Sequence, residues 1–302
     1  MPFEDIRLKG GICRALRGLA LLCIGVPGVA QSGAQDGPLD ELPSQLSVEW
    51  SAGDDGRNDL YLDLDLAIGG PRLLFSAAQS RIDNEFSSYI TESYLVGMVN
   101  DPLQTWNYGA ELEQWGRKGD ISVTTVRGFF AYNAFDWSVA LRPQRRNIVL
   151  STSPFCRRFP SCPDDWQVES YGIGIDGSYY WRAWGFTLGL SLQDYDRDLS
   201  PLVSSAYVIR LFSPLALELT TGFEDYGLSA GLRYAFRRGL LSVDEYRSVS
   251  AVDGLVSWLS SVRLSIDLDP QWRLRLNGGL LHLPEFNDGG TLYAGLGFAY
   301  SW

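Results

Sequence analysis

From Asn58 onward, apolar side chains fall on every second residue: Leu60, Leu62, Leu64, Leu66 and Ile68 alternate with Asp59, Tyr61, Asp63, Asp65 and Ala67. Successive side chains of a pleated strand point to opposite faces, so this stretch builds one aliphatic face and one largely acidic face. The alternation returns in Trp184-Phe186-Leu188-Leu190-Leu192, in Tyr226-Leu228-Ala230-Leu232-Tyr234-Phe236 and in Trp258-Ser260-Val262-Leu264-Ile266-Leu268. No apolar run reaches the roughly 18 residues that a spanning helix needs. The 15 Tyr, 14 Phe and 10 Trp, set among 32 Gly, favour strands over helices. The chain therefore reads as all-β.

The connections narrow this further. Arg182-Ala183, Ser213-Pro214, Arg237-Arg238-Gly239 and Asp269-Pro270-Gln271 are tight turns, and they alternate with longer polar stretches at 153–165, 194–201, 249–256 and 283–290. Glu224-Asp225 reads as one short exception. Tight turns at one end and longer loops at the other are the pattern of a closed antiparallel transmembrane β-barrel, with the turns periplasmic and the loops external. A soluble sandwich alternates too, but it draws its rings to the centre. Here Trp184, Tyr226, Phe236, Trp258 and Trp272 stand at the ends of the apolar rows, where a membrane–water boundary holds amphipathic rings.

Counting alternating segments from Asn58 gives about 16 strands, with about 14 as the second count, both even as single-chain barrels require. The count takes 134–142 and 145–152 as two strands and includes 203–212 and 214–223. Leu46-Val48-Trp50 is a further clean alternation that upsets the parity, and segments 71–81, 88–98, 119–131 and 239–249 are ambiguous in facing. The chain ends on Leu292-Ala294-Leu296-Phe298-Tyr300-Trp302, an apolar row closed by an aromatic residue. In this it resembles the bacterial outer-membrane β-barrel proteins over roughly 45–302, the motif proper being Gly297 to Trp302. The resemblance implies an outer-membrane location, lipid and lipopolysaccharide around the barrel, and recognition of Phe298, Tyr300 and Trp302 by the barrel-assembly machinery. No plug or energy-coupling box stands ahead of the strands, so active siderophore uptake is not expected.

Residues 1–30 have the layout of an export signal: Arg7, Lys9, Arg14 and Arg17, a short apolar stretch from Leu19 to Val26, then Pro27-Gly28-Val29-Ala30, whose small residues at −3 and −1 suit a cleavage before Gln31. Residues 31–45 read as a flexible periplasmic lead and 46–302 as the barrel. Four basic and two acidic residues leave with the signal, taking the formal charge from −11 to −13. Lys118 is the only lysine left, so a nucleic-acid partner, which needs clustered cations, is not expected. Cys156 and Cys162 remain as one close pair that suits a loop-closing disulfide in an oxidising compartment. A metal site would need further Cys or His ligands, and the chain has one His, so neither metal nor cofactor is expected.

Charged residues facing hydrocarbon are costly, so those on the alternate rows are expected to point into the barrel. Acids come early: Asp59, Asp63, Asp65, Glu111 and Glu113. Arginines come late: Arg210, Arg233, Arg263, Arg273 and Arg275, with Arg142 and Arg182 between. General porins are similar in setting acids against arginines across a constriction, and two opposed walls here would orient passing solutes. The alternative is that Asp176, Glu218 and Asp267 pair with neighbouring arginines and the charges hold the lumen together.

The expected function is passive passage of small polar solutes or ions. A barrel that grips a protein or polysaccharide is the second reading, and a lipid-modifying barrel enzyme the third. For the enzyme, His282 is the single candidate base, and alternation from Trp272 puts it on the lipid side unless Gly278-Gly279 forms a bulge.

Overall fold

The computed structural model describes residues 43–54, 56–83, 88–117, 121–151, 165–197, 199, 223–251, 254, 256–282 and 290–302. Residues 1–42, Cys156, Cys162, Arg210 and Glu218 lie outside them, and of the lead read as 31–45 the last residue, Gln45, already belongs to the first strand. Among the described residues are β1 (Gln45–Gly53), β2 (Arg57–Ala67), β3 (Arg72–Asp83), β4 (Ser88–Val99), β5 (Trp106–Arg117), β6 (Ile121–Asn133) and β7 (Trp137–Ser151). The second half holds β8 (Asp165–Trp181), β9 (Trp184–Tyr195), β10 (Glu224–Phe236), β11 (Gly239–Ser250), β12 (Val256–Asp267), β13 (Trp272–His282) and β14 (Thr291–Ser301). Each pairs antiparallel with its sequence neighbour, and β1 pairs with β14, closing the ring.

Fourteen strands, rather than sixteen, complete this barrel. Leu46-Val48-Trp50 is the core of β1, and segments 134–142 and 145–152 are the single strand β7. Pro143 stands between those two segments, and proline cannot donate to a ladder and is rare inside sheets. The strand continues because Pro143 turns outward opposite Gly128, whose missing side chain gives the ring room, and only the cross-strand pairs beside it drop out of the β6–β7 ladder. Segments 203–212 and 214–223 fall almost wholly outside the described residues, and β9 is hydrogen-bonded directly to β10 without them. Glu224-Asp225 belongs to β10, where a register shift accommodates the extra residue.

The alternation survives as geometry. Leu46, Val48, Leu60, Leu62, Val96, Leu188, Leu232, Val243, Val262, Leu276, Leu296 and Phe298 form an exposed apolar belt. At the end that carries both chain termini and the turns 182–183 and 237–238, rings pair across strands into a girdle: Trp106 with Tyr132, Tyr132 with Trp137, Trp184 with Tyr234, and Trp272 with Tyr300. A spanning strand needs about 9–11 residues. The 17-residue β8 and 15-residue β7 exceed that, and their outward residues at the far end include Arg145, Asn147, Gln167 and Glu169, with Arg145 paired to Glu169 at 2.7 Å. The far-end connections before β7 are as short as the turns, so the alternation of short and long connections holds only from β7 onward.

Candidate functional site

The inward rows carry most of the charge of the strands, and register settles which residues share them. Asp59, Asp63 and Asp65 face inward from β2, Glu111 and Glu113 from β5, Arg142 from β7, Arg233 from β10, Arg263 from β12, and Arg273 with Arg275 from β13. Arg182 stands apart from them. It sits in the two-residue β8–β9 turn with a φ of 55°, and its guanidinium lies 5.1 Å over the ring of Trp181, an outward residue of the girdle.

Ring closure also changes which charges meet. Early acids and late arginines looked like opposite walls along the chain, but β1 adjoins β14, so β12 and β13 stand beside β1 and β2. Only β14 separates them, and its inward residues Gly295, Gly297 and Ala299 are small enough for side chains to reach across. Asn277 on β13 donates to Glu49 on β1, and Arg275 Nη2 donates to Gln45 at 3.3 Å. A Cβ on Gly295 would collide with Asn277 and with the Trp50 carbonyl, which fixes glycine at that point.

The inward acids are taken up by local partners. Arg57 Nε donates to Asp59 at 2.6 Å and Arg72 Nε to Asp65 at 2.7 Å, while Ser76 and Ser47 donate to Asp63 at 2.6 and 3.3 Å. Arg127 bonds Glu113 at 2.6 Å and lies 3.9 Å from Glu111. Arg142 pairs with Asp176 at 3.2 Å and Arg273 with Asp267 at 2.6 Å, the pairing foreseen for those two aspartates. Sequence reasoning missed Glu49, Arg57, Arg72 and Arg127. Glu49 lies in the strand left out of the even count; Arg127 lies in the ambiguous segment 119–131, where Phe129-Phe130 and Thr124-Thr125 blur the period.

Water reaches this wall. Midway along their strands, the side chains of Arg142 and Asp176 keep 24% and 32% of their exposure although both face inward. A filled core would leave such groups dry, as small barrels do. His282 faces outward, in unbroken register with Trp258 through Gly278 and Gly279, so the glycine pair makes no bulge. No group of residues that could hold a metal occurs among the described residues.

Apolar outside and charged inside, the closed ring is a membrane-spanning β-barrel with the fold of bacterial outer-membrane porins. It is similar to the CymD monoaromatic hydrocarbon channel, with a TM-score of 0.54 and 7% identity over 87% of this chain and 89% of that one. Further similar structures are Pseudomonas putida OprB (TM-score 0.47, 6% identity, 87% of this chain and 94% of that one) and the KdgM porin in complex with disordered oligogalacturonate (0.44, 9%, 85% and 99%). No family model matches the sequence, and no curated protein does.

Proposed function

We propose that the chain is a passive, water-filled channel of the bacterial outer membrane through which small polar solutes or ions diffuse, with no chemical step. The observation that carries this is the wet, charged inner wall: ionised pairs such as Arg142–Asp176 sit at mid-height and stay solvated. In this reading Asp63, Asp65 and Glu111, with Arg142, Arg233, Arg263, Arg273 and Arg275, line the path, while Asp59 and Glu113 face inward but are buried in the wall. Pairing makes most of that lining locally neutral and rigid. The less compensated arginines lie on β10, β12 and β13, so the field along the path is strongest on that side. The outward row Phe298, Tyr300 and Trp302 is the handle for the assembly machinery.

Conductance of the refolded chain in planar bilayers tests the proposal. We expect discrete steps, and a reversal potential that moves toward cation preference in Arg273→Ala/Arg275→Ala, because two positive charges leave the wall while Asp63 and Asp267 remain. A silent bilayer containing correctly folded barrel would overturn the channel. An unchanged reversal potential in the double variant would remove β13 from the path.

A further inference from the structure

Arg146 faces inward from β7 and is 5% exposed, yet among the described residues no hydrogen bond or ion pair holds its guanidinium. The acids around it are already engaged. Glu113, on the same lateral row beyond Thr125, is held by Arg127 at 2.6 Å and by Ser93 at 3.2 Å. Glu224 accepts from Ser191 and Tyr246. Glu169 is one strand away but faces outward, where it pairs with Arg145. A buried guanidinium with no acid in direct contact is a costly group for a protein to hold.

Two further polar groups beside it are also unpartnered. Ser170 is the cross-strand neighbour of Arg146 and fully buried, and its hydroxyl has no hydrogen-bond partner. Gln193, one strand further, has a carbonyl oxygen without a donor, and its amide lies over Gly172, where any side chain would collide with it. Directly toward the outer mouth stands an apolar cluster of Ile148, Val168, Leu199 and Phe223, which lowers the local dielectric above the guanidinium. Charge–charge attraction is stronger in such surroundings than in open water.

We propose that Arg146, Ser170 and Gln193 form a subsite for a single carboxylate carried by the permeating solute. The planar guanidinium fork matches the two oxygens of a carboxylate, the Ser170 hydroxyl supplies a further donor, and a half-turn of the Gln193 amide presents its NH2. The bound anion would give the Arg146 guanidinium the directly hydrogen-bonded counter-charge that it lacks among the described residues. The proposal names the solute class of the channel and rests on that reading for how the solute arrives, but the binding itself is measurable without flow.

The test is calorimetric titration of the detergent-solubilised full chain with acetate and benzoate, using acetamide, benzamide and chloride as comparisons. Both carboxylates are expected to bind and both amides to fail. Arg146→Gln should weaken the carboxylates by about tenfold or more, Arg146→Lys by less, and Ser170→Ala by roughly threefold. Equal binding to Arg146→Gln and the parent, equal binding of the amides, chloride binding as tight as benzoate, or no binding to the parent would each overturn it. If Arg146→Gln does not assemble, Ser170→Ala decides, since it removes only a hydroxyl. Arg146-dependent binding to a barrel that conducts nothing would keep the subsite and remove the channel. Conductance without carboxylate binding would do the reverse.

Discussion

Arginine in place of Leu62 is expected to lower the stability of the barrel in lipid by about 2–4 kcal/mol, the cost of a cationic side chain near the bilayer midplane. Leu62 stands at the centre of β2, 45% exposed on the outer face, with exposed Leu60 and Val48 beside it. Asp63→Asn, one residue on, should cost less than about 1 kcal/mol, because that side chain faces the lumen, Ser76 can still donate to the amide oxygen, and the Ser47 hydroxyl can rotate to accept from the amide NH2. Urea titration of both variants folded in vesicles measures the contrast. Equal losses at the two positions would mean that the outer row does not meet hydrocarbon.

Arg127→Met should destabilise by about 3–5 kcal/mol, the range found when one partner of a buried ion pair is removed. Arg127 and Glu113 retain only 13% and 7% of their side-chain exposure, and Arg127 also donates to Gln144 at 3.3 Å and lies near Glu111. The loss arises mainly from the stranded Glu113, so adding Glu113→Gln should restore much of it. A double-mutant cycle read by the same unfolding assay separates the two contributions. If the double variant is no better than Arg127→Met, the carboxylate is not what suffers.

Architecture was readable in this chain because the membrane enforces a period of two on every strand, and Leu60 to Ile68 shows that period without interruption. The strand count was less readable. Pro143 looks like a boundary from its own chemistry, and its tolerance depends on Gly128, which lies on another strand. Facing of individual charges followed from parity wherever parity was clean. Arg182 escaped it because a turn residue belongs to neither face. The pairing of Asp176 and Asp267 with neighbouring arginines could be read along the chain, but linear order set the acids of β2 far from the arginines of β13, and closure brought them near. Arg146 carried no sequence signal, because its distinction is the lack of a partner.

The hydrogen bond from Gln45 to Ser301 joins positions 256 residues apart. Until that seam zips, a nascent sheet has two raw edges of unpaired amides, which lipid cannot solvate and a neighbouring chain could capture. Insertion must therefore be nearly all-or-none, with the N-terminal strand kept waiting for the last one to be made.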